Sequence, residues 1–106
     1  MNSQSLAQLD VSFAWFIGVV VDRNDPLRLG RARVRVYGKH SMDPDILPTE
    51  QLPWAIPLTP LANPDGAKSP PDGTFVFGFY ADGPLAQQPI MIGALPGFRY
   101  RETQQL

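Results

Sequence analysis

The run from Phe16 to Gly38, FIGVVVDRNDPLRLGRARVRVYG, constrains the fold more than any other part of the chain, because it reads as a β-hairpin with its own punctuation. Phe16 to Val21 is aromatic and β-branched, which suits a pleated, half-buried surface. Asn24, Asp25 and Pro26 interrupt it. Asn and Asp side chains bond nearby backbone and Pro presets φ, so a turn follows from the chemistry. Leu27 to Gly30 completes the connection, with Gly30 free to take positive φ. Arg31 to Tyr37 then alternates, placing Arg31, Arg33, Arg35 and Tyr37 on one face and Ala32, Val34 and Val36 on the other. Period two is the signature of a strand with one buried face.

The rest of the chain continues in short strands. Leu52–Leu58 reads as a third strand, and Pro53 and Pro57 assign it to an edge or to bulged positions, since each lacks a ladder donor. Thr59–Gly73 is a proline-rich excursion. Thr74–Ala81 places Phe75, Phe77 and Phe79 on one face, read as a core stripe, and Val76, Gly78 and Tyr80 on the other. Asp82-Gly83 marks a turn, and Pro89–Leu95 is a fifth strand opened by a proline at no cost to pairing. Pro and Gly number 12 and 9 in 106 residues, which leaves little room for long helices. The expected fold is all-β: a small five-stranded Greek-key OB-fold barrel, with a long Pro-rich loop in place of the usual helix after strand three. An SH3-like barrel is the structural alternative. Residues 1–12 read as a flexible N-terminal arm, 13–97 as the barrel and 98–106 as a C-terminal tail.

Composition narrows function mainly by exclusion. The formal net charge is −1, unlike the strongly basic balance of a dedicated nucleic-acid binder. There is no cysteine, hence no disulfide and no thiolate metal site. His40 stands alone in a loop after strand two and reads as a solvated or capping residue. No nucleophile elbow, phosphate loop or distinguished carboxylate pair is present, so no catalytic, cofactor-binding or metal residue is assigned. The apolar run Phe13–Val21 is too short to span a bilayer, and Met1–Asp10 lacks the pattern of a secretory signal. Arg31, Arg33 and Arg35, with Tyr37, form the one charged constellation. It fits a solvated strand face, a protein interface or, against the overall acidity, a single-stranded nucleic-acid surface.

The hairpin, with its DPLRLGRARVRV core, resembles the N-terminal OB-fold domain of the central-spike proteins of bacteriophage contractile-tail baseplates. LPTEQLPWA from Leu47, PPDGTFVFGFYADG from Pro70 and QPIMIGALPG from Gln88 extend the resemblance over about residues 13–97. It implies a homotrimeric adaptor in the virion tail, made in the host cytoplasm. Such an adaptor joins a baseplate hub protein to a membrane-piercing spike or tail-tip protein. The sequence ends shortly after the barrel, without lysozyme or β-helix segments, so lytic activity does not carry over. No cofactor, nucleic acid or stable membrane association is expected. The candidate interface comprises Arg31, Arg33, Arg35, Trp15, Tyr37, Phe98, Tyr100 and Leu106, with Trp15 also fitting core or barrel-end packing. Asp25, Pro26, Leu27 and Gly30 are read as shaping the turn.

Overall fold

The computed structural model describes residues 14–96. Five strands follow in order: β1 (Trp15–Asp22), β2 (Ala32–Val36), β3 (Trp54–Pro57), β4 (Phe75–Tyr80) and β5 (Pro89–Ala94). They close into a barrel in the order β1-β2-β3-β5-β4, with β4 returning to β1. Every neighbouring pair is antiparallel except β3 with β5. This is the expected OB-type barrel. Single 3-10 turns at Thr49–Gln51 and Gly83–Leu85 are the only helical pieces among the described residues. The proline-rich segment after β3 carries no helix, because proline removes donors and clashes with the preceding turn.

The hairpin forms as its residues dictate. Val20 pairs with Val34 and Gly18 with Val36, so the two strands send their valines inward together. Phe16, Val20, Val34, Val36, Ala55, Val76, Tyr80 and Met91 make the core. Each fully buried side chain of Val or Phe size contributes on the order of 1.5–3 kcal/mol. Phe16 lies opposite Gly78 and its ring meets that of Tyr80 at 5.1 Å. A Cβ on Gly78 would come within 2.7 Å of the Phe16 ring and overlap the Ile90 carbonyl, so this position admits no side chain.

Two expectations are corrected. The core face of β4 is Val76, Gly78 and Tyr80, not the phenylalanine stripe. Phe77 and Phe79 stand half-buried on the outside, and Phe75, though buried, lies outside the core cluster and stacks on Tyr37. Period two identifies two faces but not which turns inward; where both are apolar, pairing with neighbouring strands decides. Second, β3 is not an edge. It lies between β2 and β5 in the closed barrel, with Pro53 just before it and Pro57 as its last residue. The prolines shorten the strand instead of expelling it, and it pairs two residues on each side.

Candidate docking surface

The hairpin tip is organised around one carboxylate. The Asp25 side chain is 2% exposed. It accepts from the backbone N–H groups of Leu27, Leu29 and Arg31 and from Nε and Nη2 of Arg31, the last at 2.8 Å. The Arg31 guanidinium holds this carboxyl well below the usual carboxylate range, against the upward push of burial and with help from the three backbone donors. Gly30 takes φ +79° as its type allows. Arg28 takes φ +56°, a left-handed conformation that nothing in its residue type announces.

The arginine ladder is turned toward the chain's own loop. Arg33 donates from Nη1 to the Thr49 carbonyl at 2.9 Å, and its guanidinium lies 4.5 Å from the centre of the Trp54 ring. Arg35 donates to the Ser41 carbonyl at 2.8 Å and to Thr49 Oγ1 at 3.2 Å, and is 3% exposed. The reading of these arginines as a solvated face is therefore corrected at Arg35. Its charge is satisfied by the loop after β2, whose carbonyls sequence spacing could not bring to it. Neither do the three form an open cationic stripe for phosphates, since Arg31 is committed to Asp25. His40 Nδ1 accepts the Val36 N–H at 2.9 Å, so His40 caps the end of β2. Burial, then the charges of Lys39 and Arg35, push its pKa below 6.5, while a backbone bond at Val34 works the other way.

An uncharged stretch lies on the outer faces of β1, β4, β5 and β3. Pairing aligns Trp15 with Phe79, Ile17 with Phe77 and Val19 with Phe75 on the outside of β1 and β4. Phe79 continues to Ile90 on β5 and Ile90 to Ile56 on β3. Trp15 stacks on Phe77 at 5.9 Å, and Tyr37 on Phe75 at 5.8 Å. Trp15 is 58% exposed and Ile56 50%, so Trp15 is not a core residue. None of these outward positions is charged. Large contiguous apolar patches on protein surfaces are a common form of interaction site. Sequence reasoning selected Trp15 and Tyr37 but missed Ile17, Phe77, Ile90 and Ile56. The available signal was that β1, β4 and β5 are apolar in both phases, whereas an antiparallel strand with one face in water alternates. Phe98, Tyr100 and Leu106 lie outside the described residues.

Fold and wall together define a class: small OB-type barrels that carry an uncharged apolar stretch on part of their outer face. No family model matches the chain. Protein Gp5 of Vibrio phage KVP40 is 41% identical over 95 residues, covering 80% of this chain and 22% of that protein. The pre-baseplate central spike protein Gp5 of Enterobacteria phage T4 is 42% identical over 79 residues, covering 64% of this chain and 14% of its own length. The chain belongs to this phage Gp5 family and spans about a fifth or less of the length of these curated relatives.

Proposed function

We propose that the chain is a structural part of a phage tail baseplate, a homotrimeric OB-fold adaptor that joins the hub to the membrane-piercing spike. The observation that carries the reading is the apolar wall of β1, β4, β5 and β3 on a barrel related to a central spike protein. An uncharged wall holding a half-exposed Trp gains most when permanently covered by another protein. The reading assigns the chain positioning and force transmission and no catalysis. It places the protein in the virion tail.

The test is co-expression of the chain with the tail proteins encoded beside it, followed by light scattering of the purified complexes. The expected result is a complex holding three copies of the chain. Trp15→Glu together with Phe77→Glu is expected to abolish the complex while circular dichroism still shows a folded barrel. Removal of a central aromatic anchor costs about 2 kcal/mol or more, roughly thirtyfold in Kd, before the buried charges are counted. Survival of the complex in this variant would rule out the wall as the docking surface. Failure of the unaltered chain to bind any tail protein would rule out the adaptor reading.

A further inference from the structure

A second surface lies at the other charge extreme. The hairpin tip and the segment 67–69 enclose an open cleft of about 530 Å3 lined by Arg23, Arg28 and Lys68. The carboxylate in its lining, Asp25, is already paired with Arg31. Neither Arg28 nor Lys68 has a carboxylate partner among the described residues. Beside the cleft Leu27 and Leu29 are 63% and 57% exposed. The tip that presents them is held by the donors to Asp25, by the Ser69 hydroxyl donating to the Arg31 carbonyl at 2.7 Å, and by Arg23 donating to the Ser69 carbonyl at 3.0 Å. The left-handed Arg28 sits within this bonded turn, its N–H donating to the Asp25 carbonyl at 3.0 Å. A preorganised tip loses little entropy on binding. Three cations flanked by two exposed leucines call for an acidic segment bearing apolar side chains.

The chain itself displays such a segment. The turn Met42-Asp43-Pro44-Asp45-Ile46 follows β2 at the end away from the hairpin tip. Asp43 and Asp45 are exposed, with Met42 and Ile46 beside them at 42% and 71% exposed. The Leu47 and Ile46 N–H groups donate to the Asp43 carbonyl, and the Asp45 N–H to the Asp43 side chain, so this turn too is ordered. In chain order the turn follows β2, whereas the hairpin tip that forms the cleft precedes it. We propose that the Met42–Ile46 turn of one copy docks on the Arg23/Arg28/Lys68 cleft of the next, with Met42 and Ile46 against Leu27 and Leu29. The contact is heterologous, joining two different patches, and such contacts form a ring when their rotation closes. This inference rests on the trimeric reading above and names the contact between its copies.

The experiment measures the mass of the full chain by light scattering over a concentration series up to about 1 mM. Self-association is expected, weakening as salt rises from about 50 to about 500 mM. Arg28→Glu with Lys68→Glu, and separately Asp43→Lys with Asp45→Lys, are each expected to weaken it at least tenfold. One chain carrying all four changes has its charges exchanged between cleft and turn and is expected to associate more tightly than either pair alone, although Asp43→Lys loses the bond from the Asp45 N–H. All these positions are exposed, so each variant stays folded by circular dichroism. Association unchanged in both pairs would overturn the contact and leave the trimer standing. Loss with the cleft pair alone would overturn it in favour of a different acidic segment of the same chain. A monomer at every concentration would overturn it as well, while binding to the hub would still be judged by the wall variant.

Discussion

Tyr80→Phe is expected to stabilise this protein, which is unusual for a change in a barrel core. Tyr80 is 3% exposed, and its hydroxyl has no hydrogen-bond partner among the described residues. Burial, with the Asp82 carboxylate adding to it, pushes the phenol up to about 12. A buried hydroxyl without a partner costs about 1–3 kcal/mol relative to water. Phenylalanine removes that cost and keeps the ring, which meets Phe16 at 5.1 Å and lies 5.9 Å below the Lys39 ammonium. The lost dispersion contacts of one oxygen atom, at about 0.1–0.2 kcal/mol each, take back a fraction. The net gain is about 1 kcal/mol, equivalent to a rise in Tm of about 4–8 °C for a domain of this size. Urea unfolding followed by circular dichroism reads it directly at neutral pH. A second readout is alkaline: a phenol raised in the folded state contributes stability that is present below about pH 10 and lost as pH rises toward 12. The variant is expected to lack this alkaline loss. A loss of about 0.5 kcal/mol or more at neutral pH would refute the reasoning, because it would mean the hydroxyl is well bonded.

Other expectations follow from the same geometry. Gly78→Ala places a methyl group against Phe16 and the Ile90 carbonyl and is expected to destabilise by about 1–3 kcal/mol or more, read as a fall in the urea midpoint. His40, lowered in the folded state, binds its proton less readily there than in the unfolded chain. Stability is therefore expected to fall as pH drops below about 6.5, and His40→Gln, which retains an acceptor for the Val36 N–H, is expected to flatten that slope. Asp25, whose carboxyl is also lowered, adds a further loss at lower pH, beginning near its ordinary value of 3.8; Asp25→Asn is expected to remove it.

Much of the architecture was legible because its causes are local. Asn24, Asp25 and Pro26 make a turn wherever they fall between two apolar strands, and Asp25 does cap the Leu27 N–H as an Asx side chain should. The alternation of Arg31 to Tyr37 does separate inward valines from outward arginines. Pro89 does open β5, where a missing donor is harmless. The candidate docking surface was legible only in outline. Trp15 and Tyr37 stood out as large aromatics, whereas Ile17, Phe77, Ile90 and Ile56 look like any core residue until their facing is known.

Sequence by itself therefore determined strand positions, the hairpin, its turn chemistry and the absence of a helix after β3, because backbone preferences act within a few residues. Tertiary structure alone decided which face of β4 is inside. Barrel closure brings Gly78 opposite Phe16 and leaves Phe77 under Trp15, a choice between two apolar faces that neither strand makes alone. It also decided the fate of the arginines. Arg33 and Arg35 find their partners at Thr49 across a loop, so a row of charges that sequence presents as surface becomes the fastening of that loop. The apolar wall becomes the surface instead, because a barrel this narrow buries only one side of each strand and leaves the other outside.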